Sequence, residues 1–233
     1  MKSFLVILAT FLLAQFSALP GCQAATDPLV ENIFANLEKL RQDAIASVDS
    51  TAKTAAAGVT STVTSETAIL KEILGTTLNK INGVMQNVTN SADELGHDAA
   101  LAVEKVGMLV NQTVKGFQEA GDVALAEIRE IADEFVTQVN ANVNSQIVKL
   151  YEDFQACTNV LCKVGVISRA SSNIQDLQKG LVALSLDARQ QMAEVLSTFS
   201  TKLINQVSST VVEGTTILNE FLNSVASKVL GIQ

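Results

Sequence analysis

No proline follows Pro28 in this chain of 233 residues, and the whole sequence has no tryptophan, one tyrosine and one histidine. The missing proline leaves about 200 residues in which nothing forbids a helix, a pattern of long rods and bundles. The scarcity of catalytic material excludes more. There is no glycine-rich phosphate loop, no spaced set of metal ligands and no nucleophile with a histidine beside it, so neither an enzyme nor a cofactor is expected. Sixteen basic residues stand against 24 acidic ones and form no stripe, which excludes nucleic acid as a partner and general attraction to anionic headgroups. Beyond residue 19 no apolar run approaches the ~20 residues of a membrane span, so the mature chain is not expected to insert.

The first 24 residues read as a signal peptide. Met1-Lys2-Ser3 is a basic start, Phe4 to Leu19 an apolar core, and Pro20-Gly21-Cys22-Gln23-Ala24 ends in small residues that suit a peptidase. A lipoprotein reading, in which Cys22 is acylated and kept, is the alternative. Cleavage after Ala24 removes Lys2 and Cys22, takes the formal charge from −8 to −9, and leaves Cys157 and Cys162 as a pair in an oxidising compartment. A secreted, extracellular chain with a Cys157–Cys162 disulfide is expected. Five residues of helix would hold the two α-carbons about 8 Å apart, beyond the ~7 Å limit of a bridge, so the helix must stop there. Asn87-Val88-Thr89 and Asn111-Gln112-Thr113 are two N-glycosylation acceptors.

What the chain does have is an eleven-residue rhythm. Counting by eleven from Leu37 gives Val48, Val59, Leu70, Ile81, Ala92, Val103, Val114, Leu125, Val136 and Ile147, all apolar. Three turns of 3.67 residues make eleven, so this row draws one apolar stripe along about 120 residues of helix and is the expected core. A second row from Leu40 through Ile73, Val84, Leu95, Val106, Phe117, Ile128, Val139 and Leu150 is broken only by Thr51 and Thr62; a third from Ile33 is weaker. The mean hydropathy of +0.29 argues for a buried core.

Stops must be read from softer signals. Asp27-Pro28 is a helix start. Asn87 to Ser91 is rich in polar turn formers, and Ser91-Ala-Asp-Glu94 reads as a capping box, giving a break at 87–91. A cysteine-bearing loop is expected over 157–171, with Ser172-Asn-Ile-Gln175 capping a last amphipathic helix over 172–233. The stripe of that helix runs through Ile174, Leu177, Leu181, Leu184, Ala188, Met192, Val195, Phe199, Leu203, Val207, Val211, Leu218, Val225 and Val229. The expected fold is therefore all-α: an elongated antiparallel bundle of about three long amphipathic helices, the first two within 25–156. One feature opposes the first break, because the register crosses it without a change of phase. Gly58, Gly75, Gly83, Gly96 and Gly107 compete as hinges. The Ser/Thr/Asn/Gln-rich polar face and abundant Val and Thr give modest helix propensity, so packing must hold the rods, and the small residues Thr51 to Ala57 are expected to be the loosest stretch.

Few residues invite chemistry. His97 lies one turn after Asp93, close enough to share a metal or a proton, but Gly96 and Asp98 beside it make a solvated helix position the reading. Glu127, Glu130, Asp133 and Glu134 lie largely off the stripe and read as a solvated face with an Arg129–Asp133 pair. Phe34, Phe117, Phe135, Phe154, Phe199 and Phe221 follow the stripe or its edge, as core residues do.

The segment from Tyr151 through Cys157-Thr-Asn-Val-Leu-Cys162 to Gln175 resembles small secreted insect proteins of the TsetseEP type, which have a leader, a helix-rich body and cysteines beside Ala/Ser/Val-rich stretches. The resemblance covers about a quarter of the chain and implies secretion and a midgut or immune setting. The eleven-residue amphipathic repeat is also similar to that of exchangeable apolipoproteins, which implies lipid or another apolar surface as the partner. The function expected from all of this is a secreted, non-enzymatic helical protein acting through protein or surface contacts or self-association. The apolipoprotein-like binder is its alternative.

Overall fold

The computed structural model describes residues 28–87 and 92–230. These form three helices: α1 (Pro28–Asn87), α2 (Ala92–Gln155) and α3 (Val160–Leu230). At 1.5 Å per residue, α1's 60 residues and α3's 71 are rods of about 90 and 105 Å. No strand occurs among the described residues, and each helix packs against both others. Cross-links between the helices give the directions. The Arg41 guanidinium near the start of α1 donates to Asn144 Oδ1 near the end of α2 at 3.3 Å, while Asp98 at the start of α2 meets Lys228 at the end of α3 at 2.8 Å. Arg189 donates to the Ser47 hydroxyl, so α1 and α3 run parallel and α2 runs against both. The expected all-α, antiparallel three-helix bundle is the observed one. The proposed signal peptide, the Asp27 and Ser91 caps and the lipoprotein alternative at Cys22 lie outside the described residues.

The core follows the eleven-residue rows, with one change of face. Leu37, Val48, Val59, Leu70 and Ile81 are sealed at 1% exposure or less and centre the buried side of α1. In α2 the same row moves to the margin: Val114, Leu125, Val136 and Ile147 are only partly buried, and Val103 is exposed. The row from Leu40 takes its place, with Leu95, Val106, Phe117, Ile128, Val139 and Leu150 all buried. Three residues correspond to about −60° around a helix, so α2 turns that much relative to the stripe on reversing direction. The unbroken numerical register therefore does not mean one continuous rod; the chain reverses between Asn87 and Ala92 while the count continues.

The rhythm also runs through α3, where Ala170, Leu181, Met192, Leu203 and Gly214 are buried at eleven-residue steps. The stripe read for the last helix is buried or partly buried except at Val229, which is exposed near the end of the rod. Of the six aromatic positions, Phe117, Phe135, Phe199 and Phe221 are buried and Phe34 and Phe154 pack against the core.

Threonine-rich helices stay intact because their hydroxyls turn inward to the backbone. Thr54, Thr60, Thr62, Thr64, Thr76, Thr137, Thr215 and Thr216 each donate to the carbonyl four residues earlier, at 2.8 to 3.1 Å. Thr51 to Ala57, expected to be loose, is continuous helix with Ala55 buried, and none of the five competing glycines breaks a helix. Interhelical burial overrides the roughly 1 kcal/mol that a glycine costs in a helix. Gly180 has open space where a Cβ would stand. Gly180→Ala is accordingly expected to stabilise the bundle by up to ~1 kcal/mol, read as a higher denaturant midpoint; a lower midpoint would show that backbone propensity is not limiting there.

Candidate functional site

A short disulfide-bridged turn joins α2 to α3. Cys157 and Cys162 are bridged with their α-carbons 5.4 Å apart, and α2 has ended at Gln155, as the span limit requires. The loop is much shorter than the 157–171 expected. Asn159 Oδ1 accepts the Cys162 backbone N–H at 2.9 Å, which places Asn159 as the cap and Cys162 as the third residue of α3. Ser172 to Gln175 is helix interior. Gly165, Ser171 and Ser172 are carried by the packing of Val166 and Ala170, and Ser171 donates back to the Ile167 carbonyl. Lys163 sits 4.9 Å from the Phe154 ring centroid, across the turn.

At the opposite end, Asp98 joins α2 to α3. Its carboxylate accepts hydrogen bonds from Lys228 Nζ and the Ser224 hydroxyl, and these hold its pKa below the ordinary 3.8. A depressed carboxylate contributes stability above its unfolded pKa and loses it as pH falls through the folded value. Asp98→Asn is expected to cost about 0.5–1 kcal/mol at neutral pH and low salt, and the gap from wild type should narrow as the pH falls through the depressed folded value of Asp98. Urea melts over a series of acidic pH values read this. A gap that does not narrow with falling pH would mean that Asp98 acts through packing instead of charge.

The other polar residues singled out by the sequence do not converge. His97 is exposed, and no group of three metal-ligating side chains occurs among the described residues. Glu127, Glu130, Asp133 and Glu134 are exposed on α2, but Arg129 and Asp133 form no ion pair; Glu134 instead accepts from Gln138 at 3.0 Å. Asn87, the last residue of α1, and Asn111 on α2 are both exposed, so a glycan at either would project into solvent. Thr113 of the second acceptor triplet points the other way. It is buried at mid-bundle with its hydroxyl 3.0 Å from that of Thr210.

That threonine pair marks a polar layer between α2 and α3, in a core whose other buried polar residue among those described is Thr77 of α1. Thr113 also lies 2.9 Å from the Leu109 carbonyl and Thr210 2.8 Å from the Gln206 carbonyl, so two hydroxyl protons serve three contacts. Gln206 Oε1, one turn away, is buried without a partner. Its amide lies against Gly116, where a Cβ would come within 2.6 Å of Nε2. The hydroxyl–hydroxyl contact ties α2 to α3 at this level, while each hydroxyl also keeps a carbonyl partner on its own helix.

Concave space among the described residues includes several grooves between helices. A 20 Å³ cavity near the disulfide end, lined by Ile33, Leu37, Leu150 and Val166, has room for about one water. Larger grooves of about 530 and 340 Å³ lie open along α3. The surface richest in exposed apolar side chains is the outer side of α3. Val160, Leu161, Val164, Val182, Leu186, Ile204 and Val212 are all more than half exposed there, whereas α2 has Val123 and Val148 above half and α1 has Ile69 and Ile73 near 40%. This outer row shares its spacing with the core rows and is marked in the sequence only by a second set of apolar residues repeating every 22. Comparison with protein families, curated proteins and solved structures finds no match for the chain.

Proposed function

We propose that the chain is exported, sheds residues 1–24 and works without catalysis, as a preformed helical rod that acts through contacts on its outer faces. The observation that supports this best is the division of labour within α3. One side completes a core with α1 and α2, and the other carries large apolar side chains that the fold does not use. A bundle that buries one stripe fully and still exposes a second has its surplus surface available to something else. The Cys157–Cys162 bridge fits an oxidising compartment. Exposed Asn87 and Asn111 fit glycan attachment there.

The test compares the mature protein with and without phosphatidylcholine vesicles by circular dichroism, alongside the intact mass of protein recovered from a eukaryotic culture medium. The expected result is high helicity unchanged by lipid, and a mass that begins at Ala25 and falls by the glycan mass after enzymatic deglycosylation. A large lipid-dependent gain in helix would overturn the preformed rod in favour of a lipid carrier. Retention in the cell with two free thiols would overturn export.

A further inference from the structure

We propose that the outer face of α3 is a homodimer interface, on which a second copy docks its own α3 antiparallel about a two-fold axis beside residue 184. This rests on the reading that the rod works through its outer faces and names the partner. Three pairs at i,i+4 spacing carry it: Val160 with Val164, Val182 with Leu186, and Ile204 with Ser208. Each pair follows the last by 22 residues, or six turns at 3.67 residues per turn, so all three fall on one face about 33 Å apart. The five apolar members are 54–75% exposed.

The arrangement is a palindrome. In an antiparallel two-fold pairing centred at 184, Val182 of one copy meets Leu186 of the other, Val164 meets Ile204, and Val160 meets Ser208. One axis satisfies all three pairs, as an isologous interface requires. The regular 22-residue step gives this symmetry, and a like copy is the partner that can use all three pairs about one axis. The size agrees: 160–208 spans about 72 Å, and a strip one helix (~10 Å) wide covers about 700 Å² per copy, close to the ~800 Å² per partner of stable interfaces.

Charge also favours this face. Two copies of a chain with net charge −8 repel, yet the rows that hold these pairs carry no Asp or Glu between Val160 and Ser208. The rows immediately on either side add only Arg189 and Lys179, the latter paired with Asp176. At the axis, Val182 and Leu186 border the 340 Å³ groove between α1 and α3, with Leu40, Ala44 and Leu181 beneath and Asp43 at the rim. The partner's Val182 and Leu186 can enter it.

The test is disulfide trapping in the full mature chain with the native bridge kept. Val164→Cys and Ile204→Cys chains are mixed and mildly oxidised; the expected product is the mixed dimer. Val164→Cys alone should not cross-link, because the two copies of residue 164 stand about 60 Å apart in the proposed pairing. Light scattering should give twice the chain mass at tens of micromolar, halved by Leu186→Asp or, independently, Val182→Lys, with helicity by circular dichroism unchanged. A wild-type monomer at that concentration, or cross-linking of Val164→Cys to itself as readily as to Ile204→Cys, overturns the dimer. A monomer that binds phosphatidylcholine vesicles through this face with unchanged helicity also overturns it, yet leaves the contact-acting rod standing. Helix gained only with lipid would remove that rod as well.

Discussion

Phe117→Ala is expected to destabilise the bundle by about 3–5 kcal/mol, the range for removing a fully buried aromatic side chain. Phe117 has no exposed surface and is the largest fully sealed side chain, in the row that becomes the centre of α2. Its neighbours in sequence explain why relaxation should be limited. Thr113, one turn away, is held to Thr210, and Gly116 is pressed by the Gln206 amide, so α2 and α3 cannot close on the void without breaking the polar layer. Against a total stability of about 5–15 kcal/mol such a loss is large. The measurement is the urea midpoint of wild type, Phe117→Ala and Phe34→Ala, the last a half-buried phenylalanine near the start of α1. Phe117→Ala should lower the midpoint far more. Equal effects would mean that the middle of the rod is not its best-packed part.

Replacing both Cys157 and Cys162 by serine is expected to cost about 2 kcal/mol, from chain entropy for a six-residue closed loop. The bridge and the Asn159 cap act at the same turn, so losing the bridge should fray the first turn of α3 while the long packed stretches persist. Hydrogen exchange should therefore rise near residues 155–166 and remain slow at Phe117 and Leu203, both fully buried. Adding reductant to the wild type should reproduce this effect. A global loss of helix on reduction would make the bridge, and not interhelical burial, the main source of stability.

The legible part of the fold was what periodicity encodes. An eleven-residue apolar row with no proline after Pro28 is enough to specify long helices, and Asn87 to Ser91 was enough to locate the reversal. The face that α2 buries was not legible. The rows from Leu37 and Leu40 are both apolar through α2, and which of them becomes the centre is chosen by the helices it meets, leaving Val103 exposed and Val106 sealed. The start of α3 was obscured for a different reason. Gly165 and the Ser171-Ser172 pair weaken a helix locally, but burial of Val166 and Ala170 outweighs that, and the operative cap was Asn159 with Cys162 three residues on. The outer row of α3 went unread because exposed and buried apolar rows share one spacing, and only packing tells them apart.

The folded-back bundle can be tested by a distance. Arg41 and Asn144 meet at 3.3 Å although 103 residues separate them. Spin labels on their exposed neighbours Gln42 and Ser145 should then show dipolar coupling within ~30 Å, given helix axes 8–10 Å apart. Dilution with unlabelled protein removes any contribution from a second copy. The three-helix fold predicts a narrow short-range peak that survives dilution. Absence of coupling would contradict it, since one continuous helix would hold the labels about 155 Å apart.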